Sequence, residues 1–547
     1  MKNKFIHTII AAAMLSFGMA SCDKKLDIVP VNGLAPVDNY STADGYKSVL
    51  AKIYATLAVS GNTGPAGDPN STTTGPDIGG GLDEGSQIAF IRMFFNCQEL
   101  PTDEAIVSWN DETIHDFHDL KWTSNDKFLK GIYARPVYNV TLINEYLREA
   151  TDEKLAARGI TGADATDIKN SIGEARFMRA FNYWVMMDLF GKSTFITEAD
   201  GIGFFYPKEI KRDSLFLYIE SELKASESLL APARTATYGR VDQGAAWALL
   251  ARMYLNAGVY TGIDRYSDAL TYAKKVIDAG YSLQPKYNEL FMADNDKQKD
   301  EFMFTINCDG LHTTSYGNTT FLIHAPCGGD VNDFGLTAGN GWGGYRATKG
   351  LADKFTDLTG ATDKRALFTT SQFGTSASQI AISDPSDFSN GLHVNKFKNI
   401  RTDGLPVHDN PGKYFADIDF PVFRLPEMYF IFAEASLRGA TGADLGLSLQ
   451  YMNKIRTRAY DGSLAGNITA SDLTLNWILD ERARELYWEG HRRTDLIRYG
   501  LLTTGTYLWP WKGGVQNGTA KEDKYNIFPI PSVNLTSNPN LTQNTGY

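Results

Sequence analysis

Trp109 in PTDEAIVSWNDE, Tyr316 in TTSYGNTTF and Trp342 in GNGWGGY each sit among Asn, Asp, Thr and Gly, in stretches with no helical stripe. Flat rings are stacking platforms of low conformational entropy for the apolar faces of sugars, and nearby amides and carboxylates take the hydroxyls. Asn110 and Asp111 follow Trp109 directly, and Tyr345 shares the glycine-rich loop of Trp342. The chemistry this supports is non-covalent capture of a carbohydrate, with plain core packing as the competing reading.

Other constellations carry less. GNGWGG (339–344) spells the dinucleotide fingerprint, but no strand precedes it and a Trp occupies the place where backbone approaches a pyrophosphate. A flexible loop presenting Trp342 and Tyr345 is the better reading. His115 and His118 in HDFH lack a third ligand and a glutamate at metalloprotease spacing, so solvent-exposed histidines are expected there instead of zinc. No Ser-centred nucleophile elbow appears. A glycosidase needs two carboxylates at a set separation, and 64 acidic residues leave that rival open. The run from Asp480 to Asp495 places Asp480 with Arg484, Glu489 with Arg493 and Arg492 with Asp495 at spacings of three and four. Fixed ion pairs tying helix ends to neighbours explain those charges without a substrate.

The elements that must position these residues read as mostly helical. Apolar residues recur three and four apart at 40–58 and 125–150, while 60–124 is loop-like. EARFMRAFNYWVMMDLFG (174–191) has so few polar residues that it should be surrounded by protein, capped by Gly191. RDSLFLYIESELKASESLL, with Asp213 or Ser214 as N-cap, GRVDQGAAWALLARMYLNAG and YSDALTYAKKVIDAG follow in close succession. Their small residues and tight turns suit stacked helix pairs of tetratricopeptide type. Residues 300–420 are irregular and loop-rich, and helices return at 425–439, 443–459 and 473–500. Helical blocks on both sides of the irregular block imply one mainly α domain carrying a loop-built face.

With 64 acids against 53 bases the chain carries a charge of −11, and it lacks the basic stripes that neutralise phosphates, which argues against nucleic acid. The start has the shape of an export signal: Lys2 and Lys4, an apolar run from Phe5 to Ala20, then small residues before Cys22. Cys22 at the first mature position resembles a lipobox cysteine, so residues 1–21 are read as a signal peptide, 22–45 as a lipidated tether and 46–547 as the folded body. Cys97, Cys308 and Cys327 are expected as buried small apolar residues.

Several motifs give the chain a wider resemblance. NCQELPTDEA, EARFMRAFNYWVMMDLFGKSTF, GRVDQGAAWALLARMYLNAGVYTG, ELFMADND, FRLPEMYFIFAEA, RELYWEGHRRTDLIRYG, WKGG and FPIPSVNLTSNPNLTQNTGY together resemble the SusD/RagB family of outer-membrane lipoproteins. The resemblance implies a single α-helical domain with tetratricopeptide-like pairs that caps a SusC-like TonB-dependent transporter and binds oligosaccharides without cleaving them. In the starch-binding member an aromatic arc curves around an α-glucan. Trp109, Tyr316 and Trp342 match that arc, and Arg92 matches its hydroxyl-binding arginine. The same likeness implies a structural calcium near Asp296, Asp417 and Asp419. Val107 and Glu112 depart from the arc's first segment, which leaves another curved glucan or a fructan open beside starch. Two rivals of other classes are a surface glycoside hydrolase and a helix-repeat adaptor for peptides.

Overall fold

The computed structural model describes residues 39–61, 76–79, 81–83, 85–369, 380–405, 407 and 414–547. The expected signal peptide, Cys22 and the expected tether as far as residue 38 lie outside the described residues.

The body is built around a long helix, α4. In chain order the principal helices are α1 (Ala43–Ala55), α2 (Phe90–Gln98), α3 (Lys127–Glu149), α4 (Gly162–Phe190), α5 (Arg212–Glu227), α6 (Gln243–Leu255), α7 (Tyr266–Asp278), α8 (Thr319–His324), α9 (Leu425–Leu437), α10 (Leu445–Ala459), α11 (Leu475–Leu486) and α12 (Arg492–Arg498). Every residue of α4 from Phe177 to Phe190 is buried, because α1, α3 and α5 all pack on it. Its polar residues are satisfied from outside the helix, as burial demands. Arg179 binds Glu222 at 2.6 Å and Asn144 at 2.7 Å, and Asp188 accepts from Tyr260 at 2.7 Å and Gln98 at 2.8 Å. Gly191 stops the helix at φ +73, where a side chain would be strained.

Successive helices then stack: α6 on α7, α7 on α9, and α9 on both α10 and α11. Ala245, Ala246, Ala269 and Ala273 are fully buried and let these axes approach closely. One hydrophobic cluster runs unbroken from Tyr40 to Leu541.

Strands are short and paired antiparallel in twos. They are β1 (Ala105–Val107), β2 (Ser193–Phe195), β3 (Lys208–Ile210), β4 (Phe302–Ile306), β5 (Tyr345–Ala347), β6 (Phe368–Thr369), β7 (His393–Val394) and β8 (Phe420–Arg424), joined as β1·β5, β2·β3, β4·β8 and β6·β7. The pair β4·β8 sets Ile306 opposite Phe420 and Phe302 opposite Arg424, so it closes the irregular block at its base. That closure holds the loop-built face on the helical body.

Three expectations need correction. The loop-like segment 60–124 contains α2, whose nine residues are all buried; it is a short helix set in a stretch rich in Gly, Ser and Thr, which read as loop. Helix α5 starts at Arg212 with Lys211 as N-cap, and Asp213 sits inside the first turn, where it accepts from Ser214 N at 2.7 Å. The third concerns the pairs along 480–495. The chain leaves helical geometry at Trp488 (φ +64) and Gly490 (φ +81), which turns α12 away from α11. Asp480 therefore binds Lys354 at 2.8 Å, Arg492 binds Asp103 at 2.6 Å, Glu489 binds Arg424 at 2.7 Å, and Asp495 binds Arg482 at 2.7 Å. The charges are fixed ion pairs, as expected; these four reach across the fold, while Arg484 with Glu481 and Arg498 with Asp495 pair within a helix.

Candidate functional site

The three aromatics converge on one open cleft of about 860 Å³, lined also by Arg92, Asn110, Asp111, His115 and Phe388. Antiparallel pairing explains the meeting of the tryptophans. Val107 of β1 lies opposite Tyr345 of β5, and Ser108 N extends the ladder by donating to Gly344 O at 2.7 Å. Trp109 leaves one strand and Trp342 approaches the other at the same end of this short ladder. Gly344 makes the junction possible: a Cβ there would lie 2.3 Å from Trp109 Nε1, and its φ is +113.

Tyr316 arrives from a different loop, which docks on the start of α2. Arg92 N donates to Gly317 O at 3.0 Å, and a Cβ on Gly317 would collide with Ala89 at 2.1 Å. The ring centroids of Trp109 and Trp342 lie 6.2 Å apart with planes inclined by 51°, and those of Trp342 and Tyr316 lie 6.4 Å apart at 49°. All three are half-buried. Neighbouring rings each turned by about half a right angle do not make a flat plate, and evenly spaced half-open faces suit successive rings of a bent polymer.

The rings are held from behind. His324 stacks on Trp342 at 4.8 Å and 28°, with its Nε2 2.6 Å from Tyr414 O and its Nδ1 against Asn340 O. Burial lowers the pKa of His324, against the two carbonyl contacts, which favour its charged form. Trp342 Nε1 donates to the Tyr414 hydroxyl at 3.2 Å, and Tyr414 packs edge-on to Tyr316 at 5.5 Å. The Arg92 guanidinium lies 5.2 Å from the Trp109 ring centre and 5.1 Å from that of Phe321. Arg92 is 7% exposed, and among the described residues its Nε has no hydrogen-bond partner. A planar cation held at the cleft wall with donor capacity in reserve fits sugar hydroxyls.

Asn110 and Asp111 are exposed at the rim beside Trp109. Tyr345, expected on a flexible surface loop, is instead wholly buried in β5, with its hydroxyl donating to Asn96 at 2.7 Å. Its ring supports Trp109 edge-on at 4.9 Å. Val107 is likewise sealed in β1, and Glu112 is exposed and paired with Lys127. The two histidines are not solvent-exposed: His118 is 4% exposed and its Nδ1 sits 2.9 Å from Asp119, and His115 is half-buried at the cleft wall.

Asp417 and Asp419, expected near calcium, are held by hydrogen bonds within the protein. Asp419 is buried and accepts from Tyr238 at 2.7 Å and Cys308 N at 2.8 Å, and Asp417 accepts from Gly310 N at 2.7 Å. Burial, then the neighbouring charges of Asp296 and Asp417, push Asp419 up to about 7. Among the described residues no group of three or more His, Cys, Asp or Glu is gathered to hold a metal. Cys97, Cys308 and Cys327 are free and buried.

Phe388 and Tyr414 were not singled out from sequence. Phe388 is 47% exposed in the cleft, and its context, DPSDFSNG, is the same loop chemistry that marks Trp109. Tyr414 adjoins Phe415 and reads as packing.

The comparisons with known proteins fit this geometry. A SusD family model matches residues 370–547, and a model described as starch-binding, associating with outer membrane, matches residues 79–255. The starch-binding protein SusD of Bacteroides thetaiotaomicron is 35% identical, covering 100% of both chains. This chain belongs to the SusD family. SusD-like protein P25 of Formosa agariphila is 23% identical over 99% of each chain. Among solved structures, surface glycan-binding protein A of B. thetaiotaomicron in complex with laminarihexaose matches with TM-score 0.64 and 18% identity, covering 92% of this chain and 99% of that one. A laminarin-binding SusD-like protein matches with TM-score 0.67 and 19% identity at the same coverage. These neighbours establish the SusD fold over the helical body and the loop-built face together. No helix among the described residues is long and apolar enough to cross a membrane.

Proposed function

We propose that this SusD family member captures oligosaccharides at the cell surface, starch-like α-1,4-glucan foremost, and delivers them to a SusC-like TonB-dependent transporter without cleaving them. A lipid at Cys22 holds it in the outer membrane. The observation that carries this reading is the set of three half-open rings at near-equal spacing and inclination, with Arg92 beneath the first. The 35% identity to a starch-binding relative supports the α-glucan preference. Each stacked ring contributes on the order of 1 kcal/mol beyond its burial. Three such contacts give weak, selective binding that permits release into a transporter.

Trp109→Ala combined with Trp342→Ala should abolish retardation in an amylopectin affinity gel. Unchanged mobility would refute the assignment, and retardation by a fructan in place of amylopectin would move the preference to the other glycan. Purified protein incubated with maltooligosaccharides should yield no shorter products. Shorter products would favour the hydrolase, with Asp83 and Asp111 as the carboxylates lining the cleft.

A further inference from the structure

The hairpin β2–β3 carries GIGFFYP, residues 201–207, at its tip. Ile202 is 83% exposed and Phe204 89%, with Phe205 at 42% and Tyr206 at 48%. Adjacent large apolar side chains open to water mark a surface that something covers. The loop is braced at its base: Asn538 Nδ2 donates to Pro207 O and Asn540 Nδ2 to Tyr206 O, each at 2.9 Å, and Thr197 N donates to Asp200 at 2.7 Å. Phe204 and Tyr206 pack edge to face at 5.2 Å. The tip is therefore a fixed convex knob, and its shape suits a yielding partner better than a rigid pocket.

Its surroundings point to lipid. Lys208 and Lys211 flank the knob, both exposed, and among the described residues neither takes part in an ion pair. Apolar and aromatic side chains beside a tyrosine and long cationic stems match the layered polarity of a bilayer surface. Position agrees with composition. Arg148, in the last turn of α3, donates to Glu198 O at the foot of the hairpin at 3.1 Å. In that same turn Tyr146 packs on Tyr46 at 5.9 Å, and Glu149 O accepts from the Tyr46 hydroxyl at 2.6 Å. The last turn of α3 thus links the foot of the hairpin to α1, which begins four residues after the described chain starts at Asn39. Ahead of Asn39 lie Cys22 and its apolar leader.

We propose that Ile202, Phe204 and Phe205 enter the interfacial layer of a lipid bilayer, with Tyr206 at headgroup level and Lys208 and Lys211 reaching the headgroup phosphates. This attachment is separate from the glycan cleft and adds to any lipid at Cys22, since one weak contact rarely fixes a protein's pose on a membrane. The test uses the full chain reconstituted into phosphatidylethanolamine and phosphatidylglycerol vesicles, with an environment-sensitive dye attached through Phe204→Cys. Cys97, Cys308 and Cys327 are buried, and the parent chain carried through the same labelling gives the background. Leu464→Cys, at a site 70% exposed after α10, is the control. Emission from position 204 should shift to the blue and be quenched by spin-labelled lipid, while the control is not. Water-like emission at position 204, or quenching no greater than in the control, overturns the proposal. So does shielding that develops only when other outer-membrane proteins are added, which would assign the knob to a protein partner.

Discussion

Residues that touch a ligand and residues that hold them respond differently to substitution. Phe388 lines the cleft half-exposed, so Phe388→Ala should lower glycan affinity about fivefold, equivalent to ~1 kcal/mol, and leave thermal stability unchanged. Isothermal titration calorimetry with a maltooligosaccharide beside a melting curve checks both. Tyr345 should do the reverse. Removing its buried hydroxyl with Tyr345→Phe leaves the Asn96 amide oxygen without that donor, which costs about 1 kcal/mol of stability. Glycan affinity should stay within about twofold, because the ring beneath Trp109 remains; a larger loss would show that the hydroxyl takes part in binding. The contrast also measures what sequence revealed. Trp109, Tyr316 and Trp342 were legible as a set because polar, glycine-rich surroundings gave them no packing partner to explain. Tyr345 shared those surroundings three residues later, yet the first turn into β5 points it inward, and a three-residue strand is too short for alternation to announce itself.

Among the elements, long helices were legible and short or wholly buried ones were not. Helix α4 declared itself by composition and by Gly191, and α3 by its periodicity. Helix α2 was hidden by its nine-residue length and by the Gly, Ser and Thr around it. Strands β4 and β8 were hidden because each is five residues long and its partner lies more than a hundred residues away. Helix α3 also carries a pH-dependent device at its N-terminus. Asp126 caps it, accepting from Leu129 N at 2.9 Å, and burial raises its pKa from 3.8 to about 6. The folded state therefore binds the proton more tightly than the unfolded chain does. The stabilisation from this group is complete below pH 3.8 and is lost as pH rises through 6. Asp126→Asn keeps a capping side chain and should flatten the fall in melting temperature between those pH values. A profile parallel to the parent's would show that other groups set the slope. Asp126→Ala loses the cap, worth about 1 kcal/mol, together with the titrating carboxyl, so its profile should be flattened as well and lie below that of Asp126→Asn.

The molecule as a whole is tied together by buried ions. Arg424 binds Glu489 at 2.7 Å, Glu301 at 2.8 Å and Glu485 at 2.9 Å, joining β8 to the segment before β4 and to the α11–α12 corner. Arg365 binds Asp363 at 2.7 Å and Glu481 at 2.8 Å, and Arg492 ties the corner to Asp103 ahead of β1. Removing one partner leaves carboxylates buried without compensation, so Arg424→Ala should destabilise by about 3 to 5 kcal/mol in urea unfolding. Lys274→Ala, at a surface pair with Asp278, should leave the unfolding midpoint where it was. An Arg424 variant as stable as the parent would mean the cluster relaxes or takes up water.

The β1·β5 ladder has a further consequence. Backbone hydrogen bonds fix the chain at both positions, through the ladder extended by Ser108 N to Gly344 O on one side and through Trp342 N to His324 O on the other, so the frame works as a gauge with two jaws. Exchanging a ring at either jaw changes what is gripped while the gap stays constant, so related chains have a route to new sugars that leaves the frame untouched.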